Sequence, residues 1–242
     1  MGVREASDVV ALPGGRFAVV SDSDDHVFLV DEKNGAVAKA KLHKVPDHGS
    51  ALEGIAYDPV SKNLFVARES TGELFRFQFN PNDGSFAFGE SRVIQSLIDG
   101  NKGCEGLAFV PGPLSPTHQP LLLAVKEARP KRLLTLRANG TGKPSEVALD
   151  AKTLAAVKDF SAVAVDPKTG DLFIASDESS AVVQVHLQKK GSGWIGAFVQ
   201  SYPLTKSDGS KFSRIEGLTF DERGAMWVLT ENGGNLHQFS RK

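Results

Sequence analysis

The sequence has few of the residues that build cross-links. Cys104 is the only cysteine in 242 residues, which excludes a disulfide within the chain and a cysteine-rich zinc site. The six histidines, His26, His43, His48, His118, His186 and His237, include no H-x-x-x-H pair that would seat two imidazoles on one metal. No stretch approaches the ~20 apolar residues of a membrane-spanning helix, and the start, Met1-Gly2-Val3-Arg4-Glu5, carries no apolar signal-type segment. Neither charge sign is in excess. The 28 Lys+Arg and 29 Asp+Glu leave a net charge of −1, so no global basic field is present to hold nucleic acid or an anionic membrane. The nucleophile elbow G-x-S-x-G, the Walker A loop and a G-x-G-x-x-G after a strand are all absent, leaving the common nucleophile and nucleotide chemistries unsupported. With 40% hydrophobic and 24% charged residues, the composition is that of an ordinary globular chain rather than a disordered or fibrous one.

What is present is repetition. Short apolar runs begin around Ser7, Glu53, Glu105, Ser161 and Glu216, at spacings of 46, 52, 56 and 55. Each run meets a turn signal, such as Pro13-Gly14-Gly15, Asp58-Pro59 or Asp166-Pro167-Lys168-Thr169-Gly170. A second apolar strand then follows, for example Asn63-Leu64-Phe65-Val66-Ala67 or Asp171-Leu172-Phe173-Ile174-Ala175. Third strands alternate, as in His26-Val27-Phe28-Leu29-Val30, and fourth strands are the most polar, as outer edges should be. Five units of about four strands with polarity rising outward predict an all-β, five-bladed β-propeller in one domain. The expected blades span 5–45, 51–98, 103–150, 159–203 and 214–242. A six-bladed ring with one degenerate blade is the alternative. Residues 111–116 should extend a hairpin loop, 150–159 should form one short helix, and residues 2–5 could supply the missing fourth strand of the last blade.

A second set of acids ends the second strands: Asp22, Glu69, Glu127, Asp177 and Glu231, which follow the first-strand Ser or Glu by 15, 16, 22, 16 and 15 residues. First and second strands are antiparallel, so the start of one lies beside the end of the next. Together with Glu53, Glu105 and Glu216, eight carboxylates should therefore collect at one mouth of the channel. Two like charges ~6 Å apart repel by roughly 3 kcal/mol at an effective dielectric near 20, so such a ring needs cations or protons. A hard cation such as calcium, with six to eight oxygen ligands, is one answer. Neighbouring bases are another: Arg68, Lys126, Arg129 and Arg132 beside the acids, and Lys102, Lys158, Lys211 and Arg214 before the first strands. The competing reading makes the acids structural caps of strand ends. His26 and His48 should share the acidic face and could act as bases near a bound ester. The Asp-Gly pairs 99–100 and 208–209 read as turns, and Asn139-Gly140-Thr141 as a glycosylation sequon.

The motifs Leu52-Glu53-Gly54-Ile55-Ala56-Tyr57-Asp58-Pro59, Lys102-Gly103-Cys104-Glu105-Gly106-Leu107-Ala108, Ala124-Val125-Lys126-Glu127-Ala128-Arg129-Pro130, Asp171 to Ser179 and Ile215-Glu216-Gly217-Leu218-Thr219-Phe220-Asp221 resemble the SdiA-regulated (YjiK-like) β-propellers, which are related to proteins described as esterase-like activity of phytase. The resemblance covers nearly the whole chain. It implies a propeller that is secreted, periplasmic or held at the bacterial envelope, sometimes with a divalent cation, and it implies no particular reaction. Asp8 and Ala162 depart from the family's pattern, standing where glycine is usual.

Three functions remain open at this point. The first is a cation-binding propeller, monomeric, that takes a small ligand or a protein partner at the channel mouth, with no nucleic acid. The second is a metal-dependent hydrolase of esters or phosphoesters. The third is a scaffold whose acids serve folding alone.

Overall fold

A computed structural model of the protein describes residues 2–34, 36–41, 51–97, 103–127, 130–139, 141–231 and 233–239. The first repeat is an antiparallel sheet of β1 (Ala6–Leu12), β2 (Arg16–Ser21), β3 (Asp24–Asp31) and β4 (Val37–Lys41) in that order. The second repeats the plan with β5 (Leu52–Asp58), β6 (Asn63–Arg68), β7 (Glu73–Phe79) and β8 (Phe86–Val93). The third holds β9 (Cys104–Val110), β10 (Leu121–Lys126), β11 (Arg132–Arg137) and β12 (Ser145–Leu149), and the fourth β13 (Ala162–Val165), β14 (Leu172–Ser176), β15 (Ala181–Lys190) and β16 (Gly193–Pro203). The fifth has β17 (Ile215–Phe220), β18 (Met226–Thr230) and β19 (Asn235–Phe239). One short helix, α1 (Ala151–Ala156), lies between β12 and β13, capped by the Asp150 carboxylate accepting from Thr153 N–H.

The first strands pack in a closed circuit: β1 on β5, β5 on β9, β9 on β13, β13 on β17 and β17 on β1. Sheets radiating from such a circuit make a β-propeller. Apolar side chains on both faces of the second strands bury themselves against the neighbouring repeats. On β6, for example, Leu64 and Val66 pack into the cluster shared with Val20 and Val27, while Phe65 and Ala67 pack into the cluster shared with Leu107 and Leu122. This two-sided burial is why the second strands read as continuous apolar runs.

The outer edges differ from the sequence expectation. Strands β12 and β16 pair in parallel through Val147, Ala148 and Leu149 against Trp194, Ile195 and Gly196, joining the third and fourth repeats into one eight-stranded sheet. Residues 2–5 do not form a fourth strand beside β19. They dock by Gly2 N–H to the Gly233 carbonyl at 3.1 Å, by the buried Val3, and by the Arg4 and Glu5 carbonyls, which accept from the Ser21 hydroxyl at 2.8 Å and from Asp22 N–H at 3.0 Å. Gly112–Leu114 form a 3-10 turn in the hairpin insertion between β9 and β10. No helix of the described residues is long and apolar enough to cross a membrane.

Candidate functional site: the acidic mouth of the channel

Each first strand begins with an irregularity. Register breaks fall between Ala6 and Asp8, Leu52 and Gly54, Cys104 and Gly106, and Ile215 and Gly217. Ser7, Glu53, Glu105 and Glu216 are the extra residues of these bulges, and a bulge re-aims its side chain out of the regular alternation. The fourth repeat does the same, because Ser161 N–H bonds the Ala175 carbonyl while Ala162 is the residue paired with Ala175. Ahead of three of these residues the chain adopts left-handed backbone, with φ of 46° at Glu5, 50° at Ala51 and 55° at Arg214.

The three glutamates are half-buried, and Ser7 and Ser161 are buried. Burial, followed by the charges of Glu105, Asp22, Glu69 and Glu216, pushes the Glu53 carboxyl up to about 10. Burial, followed by Asp177, Glu231, Asp159 and Glu127, pushes Glu216 up to about 8. Between them, Glu53 and Glu216 feel every other member of the predicted acidic set, so the structure brings all eight carboxyls together at one mouth. The buried Asp159 belongs with them and was not anticipated. It accepts from the Ser176 hydroxyl and from Glu178 N–H at 3.2 Å.

The second-strand acids also do structural work. Glu69 Oε1 accepts from Gly103 N–H at 2.8 Å, and Asp177 Oδ1 from Ile215 N–H at 2.9 Å. The main-chain carbonyls of Asp22 and Glu127 accept from Ala51 and Phe160 N–H, at 2.6 and 3.1 Å. In each case the end of one second strand holds the start of the next repeat's first strand. Glu231 Oε2 instead pairs with Arg214 Nη1 at 2.5 Å.

The predicted bases are placed differently from the acids. Arg68 is buried, its Nη1 3.3 Å from Glu73 Oε2 and its guanidinium carbon 5.2 Å from the Phe75 ring centroid. It stands on the same face of β6 as Leu64 and Val66, between the first two repeats rather than at the mouth, and its Nε and Nη2 have no hydrogen-bond partner among the described residues. Lys126, at the matching position of β10, is also buried. Ser21, Ser176 and Thr230 fill this position in the other repeats. His26 Nδ1 contacts Asp24 and lies 2.9 Å from Asp25 Oδ1, two acids outside the predicted set. Ligand atoms of Asp24, Asp25 and His26 lie within 4.8 Å of one another. Arg129, His48, His43 and Lys102 lie outside the described residues.

Sequence reasoning passed over Asp8, which it treated only as a misfit for glycine. The side chain is fully buried; Oδ1 accepts from Val9 N–H at 2.8 Å, and Oδ2 from Ile55 N–H at 2.9 Å and Leu107 N–H at 3.3 Å. Burial raises this carboxyl well above its ordinary value, against the pull of those three donors. Beyond it, at the far ends of the same first strands, the channel opens into an apolar funnel of about 190 Å³ whose lining includes Val10, Tyr57, Phe109, Val165 and Phe220.

The whole chain superposes on solved structures of low sequence identity, and so by fold alone. It covers 98% of itself and 92% of a glutaminyl cyclase from Myxococcus xanthus, with a TM-score of 0.63 at 12% identity. Against a structure assigned as a gluconolactonase, the shares are 99% and 75%, with a TM-score of 0.61 at 14% identity. Against one from Bacteroides uniformis assigned as a 6-phosphogluconolactonase, they are 97% and 66%, with a TM-score of 0.54 at 13% identity. The chain thus spans about two thirds of the length of that last protein. No curated protein sequence matches it. The SdiA-regulated family model matches residues 73–238, from the start of β7 into β19 and across Glu105, Glu127, Asp177, Glu216 and Glu231, and the chain belongs to the SdiA-regulated family.

Proposed function

We propose that the protein is a five-bladed propeller whose acidic mouth binds a divalent cation of the calcium class, and that it acts as a ligand-binding or protein-interaction module of the bacterial envelope. The observation that carries this reading is Glu53. A carboxyl held up to about 10 by burial and by four neighbouring acids is one whose charged form has no positive partner among the described residues. The donor set suits a hard cation, since Glu53, Glu105 and Glu216 offer carboxylate oxygens of the kind calcium takes. Ser161 Oγ, buried and without a hydrogen-bond partner among the described residues, stands at the same strand position and adds a neutral oxygen. Bound there, the cation would replace protons as the counter-charge. The closed circuit of five first strands supports five blades over six, and the family resemblance supports the envelope.

A second reading is a metal-dependent hydrolase of esters or phosphoesters, in which the cation would polarise the bond and lower the pKa of a bound water. Structures assigned as lactonases share the fold, and fold alone does not carry their chemistry over.

Calcium titration by calorimetry, paired with melting temperature, tests the proposal on the wild type and on Glu53→Gln/Glu216→Gln. Because a ligand that binds only the native state stabilises it by RT ln(1 + [L]/Kd), the heat and the melting shift must agree. Binding by the wild type that is lost in the double variant supports the cation site and opens the way to an ester and phosphoester screen. No binding by a folded wild type refutes it for calcium.

A further inference from the structure

The first strand of a propeller repeat is an edge strand on its channel side, so its main-chain N–H groups face the axis without ladder partners. Three of these donors, from Val9 on β1, Ile55 on β5 and Leu107 on β9, converge on the single carboxyl of Asp8 at 2.8, 2.9 and 3.3 Å. To reach β9 from β1, the side chain must cross the channel, because β5 lies between them in the circuit. The matching residues elsewhere are Gly54, Gly106, Ala162 and Gly217. A Cβ at Gly54 would lie 2.8 Å from Leu107 Cγ, one at Gly217 2.9 Å from Val9 Cγ1, and one at Gly106 3.1 Å from Ala162 Cα. The strands therefore close to backbone contact at this level, with the Asp8 carboxyl held among them. Buried N–H groups without acceptors are costly, so this convergence requires an occupant.

We propose that the waist of the channel is a main-chain seat for one small carboxylate, that Asp8 fills it from within the chain, and that this closure pins the first three repeats together and separates the acidic mouth from the apolar funnel. It follows that a ligand reaches the acidic mouth from its own face only. Removal of the Asp8 side chain leaves a vacant seat that a free carboxylate of the same size, formate, should enter.

The buried thiol of Cys104 makes the test direct. It lies between the second and third repeats, in the cluster with Leu107 and Leu122, and its Sγ contacts the Gly106 carbonyl at 3.5 Å. As the only cysteine, it reports by its labelling rate how often that interface opens. Wild type, Asp8→Asn and Asp8→Gly are labelled with a neutral aromatic disulfide, with and without formate, at constant ionic strength set with chloride. Asp8→Gly should label at least about tenfold faster than wild type, as expected when buried donors lose their acceptor, and should melt lower. Formate should slow its labelling and raise its melting temperature while leaving wild type unchanged. Asp8→Asn, which keeps one carbonyl oxygen in the seat, should fall between the two and ignore formate. If Asp8→Gly folds only poorly, its refolding yield with formate against chloride replaces the labelling comparison. Equal labelling of wild type and Asp8→Gly, or an equal response of all three proteins to formate, overturns the proposal.

Discussion

The two ends of the channel are built by the same strands, seven residues apart or fewer, and have opposite chemistry. At the starts of β1, β5, β9 and β17, bulges turn Ser7, Glu53, Glu105 and Glu216 out of alternation and into one another's fields. At the far ends of those strands the ladder is regular, and residues such as Tyr57, Phe109 and Phe220 line an apolar funnel. One end stores electrostatic repulsion and the other buries hydrophobic surface. A funnel mutation should therefore lower stability without changing binding at the mouth, while the mouth should act on binding and on the pH dependence of stability.

The sharpest separation is Phe220→Ala. This ring is buried at the funnel and packs edge-on to Phe173 with centroids 5.0 Å apart; its loss should cost about 3–5 kcal/mol in denaturant unfolding and leave cation affinity at the mouth unchanged. A change in affinity would show that the two ends are coupled. Next in size is Gly54→Val, which forces side-chain atoms into the Leu107 contact at the waist and should cost about 1–3 kcal/mol by overpacking.

The mouth should reveal itself through pH. Glu53 and Glu216 bind their protons more tightly folded, at about 10 and about 8, than at the ordinary value of 4.5 that they regain on unfolding. The folded state then holds more protons between these values, and stability falls as pH rises. Melting temperature in the presence of a chelator should decline from about pH 5.5 towards pH 9.5. The decline should flatten in Glu53→Gln/Glu216→Gln and persist in Phe220→Ala. A flat wild-type profile would remove the electrostatic half of the comparison. The smallest effect is expected away from both ends. Arg68→Met/Glu73→Gln removes both partners of the ion pair together, exchanges a guanidinium with two nitrogens unpartnered among the described residues for an apolar chain of similar length, and should change unfolding free energy by less than about 1 kcal/mol.

The acidic set was legible in the sequence because it repeats. A glutamate in Leu52-Glu53-Gly54 and again in Ile215-Glu216-Gly217, each followed by a second acid 16 and 15 residues on, needs only antiparallel pairing to reach one face. Arg68 was misjudged for a related reason. Sequence adjacency to Glu69 suggests proximity to the acids, but successive strand residues point to opposite faces, and the guanidinium went with Leu64 and Val66. Asp24 and Asp25 gave little signal in a polar turn, although they gather around His26. Asp8 gave only a negative one.

The sequence by itself determined the repeat, the order of strands within each repeat, the short helix and the eight repeated acids. All of these follow from local periodicity and turn chemistry acting over a few residues. Only the tertiary structure decided the closed circuit of first strands, the parallel pairing of β12 with β16 and the insertion of Asp8 between β5 and β9. Each depends on which distant segments meet, such as Asp8 and Leu107 across 99 positions of chain. Long-range meetings of this kind are selected by the packing of whole sheets, and no pattern within a single repeat specifies them.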